Sequence, residues 1–176
     1  MNQEDERRQM ATRDSWKSIA MPEQRGQLPF QRVFTQPEFE RVSFGLIPAA
    51  MEDKWFIFYE DQSVYFHRSW TGFCVYQLQL EQADDNWEVK ETWINRNNEQ
   101  YKSESRTDEY DMKLLAFLID NLLLGKRDPF PLPNNLPANM PPGAYQHHIV
   151  GTGYAEKPIV PKDSLLERLK KLFPKR

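Results

Sequence analysis

Eleven aromatic residues fall between Trp55 and Trp93, in four runs where β-favouring residues alternate with others: 54–59, 63–68, 73–81 and 87–95. Aromatic and β-branched side chains suit the pleated, half-buried surface of a sheet. Runs joined by so few residues leave no room for crossover helices, so they must pair as an antiparallel meander. The breaks carry turn chemistry: Glu60-Asp61-Gln62, then Ser69-Trp70-Thr71-Gly72 with glycine last, then Gln82-Ala83-Asp84-Asp85-Asn86.

Pairing 59 with 64, 68 with 73 and 80 with 87, and carrying the period-two alternation through, predicts two faces. One holds Phe56, Phe58, Tyr65, His67, Cys74, Tyr76, Leu78, Leu80, Trp87, Val89, Glu91 and Trp93. The other holds Trp55, Ile57, Tyr59, Val64, Phe66, Arg68, Phe73 and Val75, then Gln77, Gln79, Glu88 and Lys90. The first is expected to be the core. The second is apolar over two strands and polar over the next two, which predicts a cover for its apolar half: the 30–50 segment, a C-terminal helix or a partner.

A helix is predicted over 108–124, with Thr107 or Asp108 as N-cap, Glu109 and Asp111 in the first turn, and Gly125 past the last. Its many leucines make it a buried helix across the aromatic face. Residues 30–53 are apolar but broken by Pro37 and Pro48, and should form short extended or helical pieces. Six prolines between 128 and 142 predict a stiff, extended strap anchored by Phe130, Leu132, Leu136 and Met140. The spacing Ser164-x-x-Glu167 reads as a capping box opening a last helix, with Leu165, Leu166, Leu169, Leu172 and Phe173 on one side. The expected fold is α+β: an antiparallel meander of four or more strands packed against a long helix, with a C-terminal amphipathic helix. Its divisions are a mobile arm over 1–29, a core domain over 30–127, the strap over 128–162 and a basic helix over 163–176.

Composition narrows the function. A chain of 176 residues with 39% hydrophobic and 28% charged residues is neither disordered nor membrane-spanning, so a soluble protein is expected. The charged start MNQEDERRQM lacks the apolar stretch of a secretory signal, which points to the cytoplasm. The net charge is −3; residues 157–176 hold seven Lys/Arg against Asp163 and Glu167, about +5, leaving about −8 on residues 1–156. An acidic body argues against general nucleic-acid binding. One cysteine, Cys74, allows no internal disulfide and no Cys-rich zinc site.

The segment Lys54-Trp55-Phe56-Ile57-Phe58-Tyr59-Glu60, followed by Val64-Tyr65-Phe66-His67-Arg68-Ser69-Trp70-Thr71-Gly72, resembles a signature of small uncharacterised bacterial proteins. Some of those neighbour or are joined to ADP-ribose-processing domains. The resemblance covers about residues 54–80 and implies no established activity; it raises a nucleotide or ADP-ribose ligand.

Chemistry-bearing residues collect at one end of the expected hairpins: Trp55, His67, Arg68, Ser69, Trp70, Thr71 and Trp93. Arg68 is placed to hold a phosphate bidentately and Trp70 to stack on a base. The bland alternative is a tight hairpin in which Ser69 and Thr71 bond local backbone and Arg68 pairs with an acid. On the first face His67 lies opposite Cys74, with Glu91 nearby: base, nucleophile and orienting group of a thiol enzyme, or else a buried hydrophobe beside a satisfied histidine. His147 and His148, adjacent in the chain, point apart and make a poor zinc pair with His67, so no metal or cofactor is expected. Gly151-Thr152-Gly153 lacks the rest of a phosphate loop and reads as a turn. Glu60-Asp61 and Asp84-Asp85 read as solvated turn residues. The leading expectation is a noncatalytic binding module for a protein or a nucleotide-type ligand. The rival is a small enzyme acting on such a ligand through His67, and a third possibility is self-association through the half-apolar face and the C-terminal helix.

Overall fold

Six strands pair in one antiparallel sheet in a computed structural model that describes residues 9–102, 107–136 and 138–151. They are β1 (Arg25–Gln27), β2 (Val33–Thr35), β3 (Trp55–Glu60), β4 (Ser63–Arg68), β5 (Cys74–Ala83) and β6 (Asn86–Asn95). β3 to β6 form the expected meander, and the far edge of β6 takes β1 at one end and β2 at the other. β3 turns into β4 over Asp61 and Gln62, both at positive φ, the two-residue turn whose twist matches that of its strands.

The expected register holds within β3–β4, where Tyr59 faces Val64, and at the start of β5, where Cys74 faces His67. Then it slips. Tyr76 pairs with Phe66, leaving Val75 as an extra residue, and a second irregularity at Lys90 separates the Leu80–Val89 pair from Gln79–Glu91. An inserted residue reverses the parity of everything beyond it. Trp55, Ile57, Val64 and Phe66 therefore share the inner face with Tyr76, Leu78, Leu80, Val89 and Ile94, all in one buried cluster. Phe56, Phe58, Tyr65, His67 and Cys74 lie on the outer face, followed there by Gln77, Gln79, Glu91 and Trp93. The expected core face is thus correct from Tyr76 to Val89 and wrong for the first two strands and for Cys74, Glu91 and Trp93. The half-apolar face that was to need a cover has its expected apolar half in the core; on the outer face Phe56, Phe58 and Tyr65 take that place, and Ala11 packs on them.

α1 (Gln36–Phe44) follows β2 directly. Thr35 and Glu38 cap it reciprocally: Glu38 N–H donates to Thr35 Oγ1 at 3.4 Å and Thr35 N–H to Glu38 Oε2 at 3.0 Å. α2 (Asp108–Phe117) starts at Thr107, whose hydroxyl accepts from Tyr110 N–H. It does not run on to 124 as one α-helix: Leu118–Leu123 widen into a π-helical turn. There Asp120 takes both guanidinium nitrogens of Arg32, at 2.6 and 3.1 Å, and Lys126 at 2.9 Å. Leu114, Leu115, Leu118, Ile119 and Leu123 join the inner-face cluster.

Part of the expected strap is helical, α3 (Pro142–Val150), because proline at the first helical position loses no hydrogen bond. Upstream, Phe130 packs edge-on against Phe117 and Tyr110 Oη donates to the Pro131 carbonyl. The stretch of the expected mobile arm from residue 9 onward lies against the sheet instead: Ala11 is buried, Ile19 bridges to Phe73 and β1 pairs with β6. The expected basic helix over 163–176 lies outside the described residues, as does Gly151-Thr152-Gly153 beyond Gly151. No helix among the described residues is long and apolar enough to cross a membrane.

Candidate functional site

The turn between β4 and β5 is a clasp for three distant segments. Ser69 Oγ donates to the Asp53 carbonyl at 2.6 Å, and the Trp70 indole N–H to the Met51 carbonyl at 2.7 Å, which fixes the loop ahead of β3. Asp53 closes that loop by accepting from the Ala49 and Ala50 amides. The Trp16 indole donates to the Ser69 carbonyl at 2.9 Å, and Ile19 N–H to the Gly72 carbonyl at 2.7 Å, which fixes the N-terminal segment. Trp55 Nε1 and Arg68 donate to the Ile149 carbonyl at 2.8 and 2.7 Å, and Arg68 reaches the His148 carbonyl at 3.2 Å. A guanidinium at the last carbonyls of α3 satisfies groups the helix leaves open and complements its dipole. Gly151, at positive φ, ends α3 so close to the Glu52 carbonyl that a Cβ would lie 1.9 Å from that oxygen.

Trp55, Arg68, Ser69, Trp70 and Thr71 line one open cleft of about 560 Å³. Its other walls are Lys54, the 99–102 stretch, Tyr145, His148 and Ile149. Trp70 remains 62% exposed, with the Lys54 ammonium 4.0 Å above its ring. Trp55 is buried beneath Arg68 and stacks on Tyr76, whose hydroxyl joins that of Tyr101 on the fully buried carboxylate of Asp111. Lys54, Arg68 and Lys102 face a single acid, Glu99, so the lining is net positive on an acidic protein. A smaller cavity of about 210 Å³ at the start of α2 holds no comparable pairing of exposed aromatic and cation.

Two residues expected at this end are elsewhere. Trp93 is on the outer face, under the Arg25 guanidinium at 4.3 Å. His67 is also on the outer face and only 2% exposed; its Nδ1–H donates to the Gly72 carbonyl at 2.8 Å, and Nε2 has no hydrogen-bond partner. Burial holds this imidazole below its ordinary range, against the pull of the Gly72 carbonyl, and the Arg13 guanidinium lowers it further. Burial pushes the Cys74 thiol up to about 12, and Sγ donates to the Tyr76 carbonyl at 3.5 Å instead of to His67. Glu91 is exposed two strands away, opposite Gln79. The three do not form a nucleophile, base and orienter. Among the described residues no three His, Cys, Asp or Glu side chains converge as metal ligands.

Sequence reasoning missed Lys54, the 99–102 wall and the whole contribution of α3. Lys54 lies next to Trp55 and the 99–102 wall follows the end of β6 by a few residues, whereas α3 reaches the cleft only through tertiary packing. Comparison with protein-family models, with curated proteins and with solved structures finds no match, so the cleft is read from its own geometry.

Proposed function

We propose that this chain is a noncatalytic binding module whose site is the cleft beside the β4–β5 turn, and that it takes a planar ligand bearing negative charge, of nucleotide or ADP-ribose type. The observation that carries the reading is Trp70: a large aromatic left exposed, its indole N–H already fixed, with a lysine ammonium over its ring. A ring anchored at one edge is a rigid stacking surface, and a cation beside it suits a phosphate. Arg68 contributes charge rather than a bidentate clamp, since its terminal nitrogens reach the α3 carbonyls. Catalysis through His67 has less support, because that ring is buried on the opposite face.

The test is a thermal-shift series with ADP-ribose, NAD and mononucleotides. A ligand at 100 times its dissociation constant adds about 2.7 kcal/mol, or roughly 5 to 10 degrees for a domain of this size. A shift that Trp70→Ala and Lys54→Ala each abolish supports the module. No shift with any of these ligands overturns it.

A further inference from the structure

The unpartnered Nε2 of His67 lies beneath the N-terminal segment. Hydrogen-bonding Nδ1–H to a carbonyl fixes the tautomer, so Nε2 presents a bare lone pair in a dry site. Phe56 and Phe58 pack around the ring, and Ala11, 1% exposed, packs with them from the segment above. That segment is attached at few points. Ala11 N–H donates to the Phe44 carbonyl, Arg13 pairs with half-exposed Glu60 across the rings of Phe58 and Tyr65, the Trp16 indole N–H donates to the Ser69 carbonyl, and the Gly72 carbonyl accepts from both Ile19 N–H and His67 Nδ1–H. One backbone oxygen therefore joins the segment to the imidazole.

We propose that the segment from Ala11 to Ile19 is an acid-released strap and that His67 beneath it is the trigger. Protonation would place an Nε2–H donor among aromatic rings with no acceptor, facing a second cation. A buried charge of that kind is disfavoured by far more than the few contacts of a peripheral segment. Lifting the strap removes Arg13 and admits water to Nε2. The charged and titratable groups facing the imidazole are Arg13 from the strap and Tyr65 and Cys74 from the sheet; Glu60 is held by Arg13, and Lys17 passes Gly72. Cys74 stays a neutral thiol throughout, so no anion compensates the imidazolium. The proposal is independent of what the cleft binds.

Hydrogen exchange on the full chain between pH 8 and pH 5, corrected for intrinsic rates, tests it. Protection at the Ala11 and Ile19 amides should fall by up to tenfold per pH unit below about pH 6.5. Protection at Ile57 and Leu78, which yields only to opening of the whole domain, should stay far above that of the strap amides at every pH. His67→Phe, which keeps a ring and removes the titration, should flatten the profile. Flat strap protection in the unaltered protein, an unchanged profile in His67→Phe, or core amides no better protected than the strap would each overturn the proposal. Should His67→Phe not fold, the imidazole titration of the unaltered protein decides: it must coincide in pH with loss of strap protection, and a ring that titrates under a closed strap refutes the trigger.

Discussion

The inner and outer faces of the sheet are built from the same alternation and the same residue types, yet they are held in different ways. The inner face is continuous from Trp55 to Ile94 and sealed by residues of α2 and its π-helical turn. The outer face is apolar only over β3 and β4 and is covered there by a short strap, after which it is open and polar. Burial alone does not distinguish them, because Phe58 and Phe66 are equally inaccessible. What differs is the number of elements that must move to expose them, so the inner face should open with the whole domain and the outer face locally.

The largest expected effect is on the inner face. Phe66→Ala removes a fully buried ring between β3 and β5 and should cost about 3 to 5 kcal/mol, read from the midpoint of denaturant unfolding. A loss under about 2 kcal/mol would mean that this face is less tightly sealed than its packing implies. On the outer face, Gly72→Ala forces a left-handed residue and puts a Cβ 2.8 Å from Lys17 Cγ. It should cost about 1 to 3 kcal/mol and loosen the strap before the core, which limited proteolysis near Trp16 would detect.

Acid separates the faces by sign and by window. His67 has a lowered folded-state pKa, so the unfolded chain binds the extra proton, and stability is lost as pH falls below the ordinary imidazole value of about 6.5. Asp120 is also lowered: burial raises it, but Arg32 and then Lys126 outweigh that. Its contribution is present above the ordinary carboxylate value of about 3.9 and is lost only as pH falls through the lower folded value. Outer-face weakening near pH 6 with the Asp120 network intact is the expected order in a pH series of thermal melts, and Arg32→Ala should lower the melts across the range above about pH 3.9, where that network contributes, and least at the acid end. The smallest loss of stability belongs to the cleft. Trp70→Ala should cost about 1 kcal/mol, the worth of one hydrogen bond at an exposed ring, while abolishing any ligand-induced shift. In the opposite direction, Gln62→Gly relieves a positive φ and should stabilise by about 0.5 to 1 kcal/mol.

Much of this was legible in the residues. The four meander strands end within about two residues of where alternation and turn chemistry put them, and Thr107 caps α2 as its spacing implies. Trp55, Arg68, Ser69, Trp70 and Thr71 do come together. Their side-chain hydrogen bonds, however, hold loop and helix backbone in place, and residue type alone does not separate a clasp from a ligand contact. α3 was missed because Pro141-Pro142 reads equally as the end of one structure and the start of another.

The sequence by itself determined which segments are strands, where they turn and which residues alternate within each strand, because those depend on local sterics and a period of two. Only the tertiary structure decided which face is the core and what walls the cleft. One extra residue at Val75 reverses facing across the sheet at almost no local cost, and nothing short of the packed pairing of β4 with β5 selects it.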